Sequence, residues 1–172
     1  RNVDAWTREI EAGGLDAVIV TAAGCGTTIK DYGWMLREDA AYADKAKRVS
    51  ALAKDITEYL ASIELPDPAV RANLTVAYHS ACSMQHGQKI TAAPKNLLKA
   101  AGFSVRDPAE GHLCCGSAGT YNIMQPEIAD QLKARKVRNI EATKPDIIAT
   151  GNIGCITQVG SGTGIPLLHT VE

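Results

Sequence analysis

The sequence predicts an α/β fold, in which a mainly parallel, Rossmann-like sheet carries helices on its faces. Short β-branched runs alternate with helical segments along most of the 172 residues. Two of the helical segments, Pro94 to Ala101 and Pro126 to Ala142, open with the proline that a first helical turn favours. This β-α-β-α rhythm is typical of parallel sheets, because parallel neighbours need a crossover connection.

The predicted strands are five short apolar runs. In chain order they are Ala17–Thr21, Leu74–Tyr78, Phe103–Val105, Ile147–Thr150 and Pro166–His169. A helix from Val3 to Glu11 precedes the first strand and is separated from it by the Gly13-Gly14 break. Gly102 stops the helix before the third strand. Each strand is thus preceded by a helix or a turn signal.

The stretch from Tyr42 to Leu60 predicts a single long amphipathic helix. Its apolar positions recur at spacings of three and four residues: Ala46, Val49, Ala53, Ile56 and Leu60. Such a stripe covers one face of a helix. We interpret it as a core-packing face, with a partner-docking helix between two α/β portions as the alternative.

The composition is typical of a soluble globular domain. Hydrophobic residues make up 45% and charged residues 22%, and 18 Lys+Arg against 19 Asp+Glu give a net charge of −1. This balance excludes disorder and a strongly basic nucleic-acid-binding surface. No apolar run approaches the roughly 20 residues that cross a bilayer, so we expect no transmembrane segment. The opening residues carry no secretory signal.

Two segments of the chain align with each other without gaps, Asp16–Cys25 and Asp146–Cys155. In both, a strand follows the aspartate and a glycine precedes the cysteine, which indicates an internal repeat. The alignment predicts three parts: the end of a first repeat over 1–35, a helical connector over 36–70, and a complete second repeat over 71–172. Because the chain also lacks a starting methionine, we expect it to be a fragment of a two-repeat protein.

The cysteines predict a metal site. Four of the five lie in the second repeat and follow predicted strands: Cys82, Cys114, Cys115 and Cys155. Because the carboxyl ends of parallel strands meet at one edge of a sheet, these thiols can converge. Four thiolates suit zinc or an iron–sulfur cluster. Zinc usually draws ligands from pairs two to four residues apart, whereas adjacent cysteines reach different irons of a cluster more easily.

Two glycines beside the cysteines are candidate cofactor-binding residues. Gly116 can adopt a positive φ and bring backbone N–H groups close to sulfur, and Gly154 stands directly before Cys155. Such N–H···S bonds tune a reduction potential.

We expect the histidines and basic residues near the cysteines to have structural roles. The histidines at short range are His79, His86 and His112. We interpret them as hydrogen-bonding or structural residues rather than ligands. A basic patch on the helix after Pro126 consists of Lys133, Arg135, Lys136 and Arg138. We interpret it as a solvated helix face, with an acidic partner subunit as the alternative.

Three motifs together resemble a known family. They are Tyr78–Gly87 (YHSACSMQHG), Leu113–Tyr121 (LCCGSAGTY) and Asn152–Cys155 (NIGC). This pattern resembles the cysteine-rich CCG domain and, within that family, the iron–sulfur subunits of bacterial glycolate oxidase. The segment from Ala22 to Gly33 is similar to the end of that family's first repeat.

The resemblance implies an iron–sulfur electron-transfer subunit of a complex that oxidises glycolate or another 2-hydroxy acid. Flavin subunits would supply the electrons and quinone or another acceptor would take them, at the cytoplasmic side of the inner membrane. It also implies that the four second-repeat thiolates hold a cluster of the 4Fe–4S type, while Cys25 serves the site of the truncated first repeat. No residue of this chain is then expected to perform acid–base catalysis.

Asn152 and Ala22 stand where the broader family often has a further cysteine, so a five-thiolate cluster is not expected. Two other functions stay open at this point. One is a thiol/disulfide redox unit like heterodisulfide reductase, and the other is a zinc-bound or metal-free interaction module.

Overall fold

The computed structural model describes residues 1–68 and 73–172, which alternate between helices and parallel strands. The helices are α1 (Asn2–Gly13), α2 (Ala23–Lys30), α3 (Tyr32–Met35), α4 (Ala43–Leu52), α5 (Ile56–Ala61), α6 (Ala93–Ala100), α7 (Tyr121–Met124), α8 (Pro126–Glu141) and α9 (Ile153–Gly160). The strands are β1 (Val18–Val20), β2 (Ala53–Asp55), β3 (Thr75–Tyr78), β4 (Ser104–Arg106), β5 (Ile147–Thr150) and β6 (Leu167–His169). A π-helical turn, Ser83–Gly87, follows β3.

The strands form two parallel sheets, which confirms the α/β prediction. The larger sheet has the order β4-β3-β5-β6, and the smaller one pairs β1 with β2. In the larger sheet Val76 of β3 pairs with Val105 on one side and Ile147 on the other. Each of the five apolar runs forms a strand close to its expected bounds. The sheet therefore places the ends of β3 and β5 side by side.

Both faces of β3 and β5 are buried, as is usual for parallel strands. On one face Ala77 and Ile148 pack with Ile140 of α8 and Val159 of α9. On the other face Tyr78 packs with Leu98 of α6. The sheet core thus fixes α8 and α9 against the same two strands whose ends carry the cysteine loops.

The prediction of one long helix over Tyr42–Leu60 was wrong. α4 ends at Leu52, the chain forms β2 beside β1, and α5 then begins. Asp55 explains the break, because its carboxylate accepts a hydrogen bond of 2.9 Å from the N–H of Thr57 while Glu58 accepts one of 2.9 Å from the N–H of Asp55. This capping box starts a new helix and leaves the preceding residues extended.

The core-packing interpretation holds for α4. Ala46 and Val49 are fully buried and form a cluster with Val3 of α1. Partly buried residues of α1 and α2, including Ile10 and Ile29, pack against this cluster. The apolar stripe of α4 is therefore covered by the chain itself.

The two aligned segments have the same local structure. In each, a short strand is followed by an extended residue and then by an eight-residue helix, α2 or α9, whose third residue is the cysteine. The division into two repeats and a connector stays a prediction, and the boundary expected at 70 and 71 lies outside the described residues. Among the residues described, no helix is long and apolar enough to span a membrane.

Candidate metal site

All five cysteines are free and line one cavity of about 330 Å³. Cys82 precedes the π-helical turn after β3, and Cys155 lies in the first turn of α9 after β5. Cys114 and Cys115 belong to the loop between β4 and α7. The cavity thus forms at the carboxyl edge of the larger sheet, where the sequence analysis expected the thiols to meet.

The four second-repeat thiols lie at two depths. Cys115 and Cys155 are both 2% exposed, and their sulfurs are 3.5 Å apart. Cys82 and Cys114 are partly exposed and line the same cavity. The adjacent residues Cys114 and Cys115 therefore lie at different depths, which suits a group with several metal atoms better than a single ion.

The thiols differ in acidity. Hydrogen bonds donated by Cys115 lower the pKa of both Cys114 and Cys155 below the ordinary value for a thiol, and Cys82 adds to the effect on Cys114. The pKa values of Cys82 and Cys115 are raised, mainly because each hydrogen-bonds to a neighbour that ionises first. Two of the four thiols thus reach the thiolate form that metal binding requires more readily than an isolated cysteine does.

Gly116 supports Cys114 in a conformation that needs glycine. Its φ is +92°, and its N–H donates to Cys114 Sγ at 3.4 Å. A Cβ at this position would lie 2.4 Å from the carbonyl oxygen of Ala129 in α8. The loop therefore takes the positive φ that the sequence analysis expected and also packs directly on the backbone of α8.

Gly154 has a different role from Gly116. It lies in the first turn of α9, and a Cβ there would come 2.8 Å from Ser117 Oγ. Its small size lets the Cys115 loop approach α9 closely. Beside it, the side-chain amide of Asn152 donates to Cys155 Sγ at 3.4 Å, so this residue stabilises a thiolate instead of supplying one.

His79 is buried beside the two deep thiols. Its backbone N–H donates to the carbonyl oxygen of Ala149 at 2.9 Å. Its side chain is buried, with a ring nitrogen within 4.8 Å of the sulfurs of Cys115 and Cys155. Its Nε2 is buried without a hydrogen-bond partner in the part of the chain that the structure describes. His86 and His112 are exposed and lie apart from this group. The spacing in the sequence did not distinguish His79 from the other two histidines.

The end of the predicted first repeat forms one wall of the cavity. Ala22 and Cys25 line it, and the N–H of Ala23 donates to the carbonyl oxygen of Gly151 at 3.1 Å. The side-chain amide of Gln88 donates to the carbonyl oxygen of Ala23 at 2.9 Å. The exposed thiol of Cys25 lies at the rim of the same cavity as the other four cysteines, and its assignment to a first-repeat site stays a prediction.

Two helices direct their N-termini at the cavity. Cys25 in α2 and Cys155 in α9 both occupy the first turn, where the helix dipole favours negative charge. The site therefore combines several thiols with backbone and side-chain groups that stabilise their ionised form. Soft sulfur donors in this number suit zinc or an iron–sulfur cluster.

Lys136 does not lie on a solvated helix face, so that expectation was wrong for this residue. Its side chain is fully buried, and Nζ donates to the carbonyl oxygen of Glu110 at 2.8 Å. The helix turns it inward because Ala129 and Ile140, seven residues before it and four after it, are also buried on α8. Arg135 points outward and pairs with the Glu110 carboxylate.

The family profile of the cysteine-rich CCG domain matches residues 76–160. The chain is 44% identical over 171 residues to the glycolate oxidase iron-sulfur subunit of Escherichia coli, covering 99% of this chain and 42% of that protein. It is 30% identical over 155 residues to the probable glycolate oxidase iron-sulfur subunit of Bacillus subtilis, with 88% and 35% covered. Identity is 27% over 162 residues with lactate utilization protein A of Bacillus licheniformis, covering 90% and 68%. The chain spans less than half the length of the two glycolate oxidase relatives.

Proposed function

Because residues 76–160 match the profile of the cysteine-rich CCG domain, we propose that the chain is the cluster-binding part of an iron–sulfur subunit. The complex would oxidise glycolate or a related 2-hydroxy acid. The relatives named as glycolate oxidase iron-sulfur subunits and as a lactate utilization protein support this class of substrate.

The convergence of four thiols on one cavity carries this proposal. A four-iron cluster takes one thiolate at each iron, and Cys82, Cys114, Cys115 and Cys155 supply four. Cys115 lies beside Cys155 in the buried part of the cavity, whereas the adjacent Cys114 is partly exposed. The Nε2 of His79, which has no hydrogen-bond partner among the residues described, adds a buried polar group that a bound anionic cluster would satisfy. The donor set therefore fits a 4Fe–4S cluster.

A bound cluster would supply one-electron transfer, and the residues of this chain would hold it and limit its contact with water. Cys115, Cys155 and His79 form the buried side of the site. Gly116 and Asn152 donate hydrogen bonds to the sulfurs. In this proposal flavin subunits take hydride equivalents from the hydroxy acid, and the electrons leave towards quinone or another acceptor on the cytoplasmic side of the membrane. None of these residues acts as an acid or a base on the substrate.

Anaerobic iron and sulfide analysis of the intact protein, with electron paramagnetic resonance, tests the assignment. Cys114→Ala and Cys155→Ala should lose the cluster formed in the second repeat, because each removes one of its four thiolates. Cys25→Ala is the matched control, since this exposed thiol lies outside the four-ligand set and its removal should leave that cluster intact. Unchanged iron and an unchanged spectrum in Cys114→Ala would refute the ligand assignment.

A zinc-stabilised module is the second candidate, and one observation favours it. His79, Cys115 and Cys155 place three ligand atoms within 4.8 Å of one another, a donor set that zinc also accepts. Stoichiometric zinc at this site, with no iron after anaerobic reconstitution, would favour this candidate and reject electron transfer for the domain.

A further inference from the structure

Lys136 is a fully buried lysine that the proposed ligand set does not use. Lysine is almost never fully buried unless it is paired, because removing an ammonium group from water is costly. Its Nζ donates to one backbone carbonyl, that of Glu110, at 2.8 Å. The Glu110 carboxylate already accepts hydrogen bonds from the side chains of Arg135 and Asn139. Within residues 1–68 and 73–172, the ion pairs found do not include Lys136.

The surroundings of Lys136 connect it to the cysteine site. It lies on α8, whose Ala129 carbonyl packs against Gly116 in the cysteine loop. Its neighbour Val137 belongs to the core cluster that contains Cys115 and Cys155. Burial lowers the pKa of Lys136, whereas the nearby thiols, led by Cys115, raise it. The charge of Glu110 favours the ammonium form as well. Ile140, four residues after Lys136 on the same buried face of α8, packs in the core cluster that contains Cys115 and Cys155, so this face of the helix adjoins the cysteine site.

We propose that Lys136 is the buried counter-charge of the cysteine site and raises the reduction potential of the cluster held there. This inference rests on the proposed function. Each one-electron reduction adds a negative charge to the site, and a fixed cation in a region of low dielectric stabilises that charge more than water would. Lys136 would act through its field and not as a ligand.

Replacing Lys136 by Met keeps the length of the side chain and removes its charge. The matched control is Lys133→Met, which removes a lysine from the same helix where Asp130 already pairs with it at 2.9 Å. Lys136→Gln offers a second neutral side chain with a donor for the Glu110 carbonyl, and Lys136→Arg retains the charge.

The measurement is a dithionite titration of the anaerobically loaded intact protein, followed by electron paramagnetic resonance. At a fixed potential, the ratio of reduced to oxidised cluster should fall at least about tenfold in Lys136→Met, which is a shift of about 59 mV for one electron. Lys133→Met should titrate like the wild-type protein, and Lys136→Arg should stay closer to it than Lys136→Met.

Two results would overturn the inference. One is a Lys136→Met potential that matches the Lys133→Met potential at equal iron content. The other is loss of the folded state in both neutral variants while Lys136→Arg folds, which would assign Lys136 to folding. If the neutral variants fold and lose iron while Lys136→Arg keeps it, the counter-charge is required for holding the cluster, which supports the inference. Absence of iron from the wild-type protein would instead reject the proposed function.

Discussion

Replacing Gly116 by Ala tests whether the cysteine loop depends on contact with α8. The new Cβ would lie 2.4 Å from the carbonyl oxygen of Ala129, where separations below 3.0 Å force a neighbour to move. That neighbour is helix backbone, so the loop itself must shift. The residue also keeps a positive φ of +92°, which a side chain disfavours.

The two effects can be separated with a second glycine of the same loop. Gly119 has a φ of +66°, and a Cβ there would meet no atom within 4 Å. Gly119→Ala should therefore lower the free energy of unfolding only by the cost of a side chain at positive φ, roughly 1–2 kcal/mol. Gly116→Ala adds a packing term of about 1–3 kcal/mol, so its total should be about 2–5 kcal/mol.

Urea unfolding of both variants and of the wild-type protein measures these free energies of unfolding. Iron analysis after anaerobic loading reports the site, because a displaced loop also moves the N–H group that contacts Cys114. We expect Gly116→Ala to lose more stability and more iron than Gly119→Ala. Equal losses of stability in the two variants, or wild-type iron content in Gly116→Ala, would show that the contact with α8 does not determine the loop.

Three further predictions concern groups outside the thiols. Asp55→Ala removes the cap of α5 and should reduce the free energy of unfolding in urea by about 1 kcal/mol without changing the iron content; a loss of iron at unchanged stability would contradict this. His79→Leu removes the ring nitrogen Nε2, which is buried without a hydrogen-bond partner among residues 1–68 and 73–172, so the metal-free protein should unfold at the same or a higher urea concentration, and clear destabilisation would show that the ring is paired. Arg135 and Asn139 hold the pKa of Glu110 at about 2, below the ordinary 4.5. The ionised Glu110 carboxylate therefore stabilises the fold above pH 4.5, and this stabilisation is lost as the pH falls towards 2. Glu110→Gln should lower the melting temperature at pH 7, and its melting temperature should approach that of the wild-type protein near pH 2. A constant difference in melting temperature across this range would refute the linkage.

Local patterns predicted five of the six strands described, and the helices α1, α6 and α8, because each of these elements carries its own signal. β-branched runs, first-turn prolines and stop glycines depend on residues near in sequence. The break at Asp55 was missed because the spacing of three and four residues continues through β2 into α5. The signal that could have found it is the capping pattern formed by Asp55 and Glu58.

The convergence of the cysteines was predictable because it follows from the direction of parallel strands. Burial of His79 and Lys136 was not, since it depends on how α8 packs against the loop from a distant part of the chain. For Lys136 a partial signal exists in its spacing from Ala129 and Ile140, which places all three on one helix face. The location of Cys25 depends on the docking of α2, which no local pattern encodes.

The wall that α2 contributes to the cavity has a consequence for the time course of folding. Its contacts join residues far apart in the chain, such as the hydrogen bond from the N–H of Gly24 to the side-chain oxygen of Asn152, 128 residues away. Contacts over such separations form late, because closing a long loop costs entropy before any packing offsets it. The sheet and its cysteine loops should therefore form while the cavity is still open on this side. We expect the side of the cavity beside Cys25 to close last.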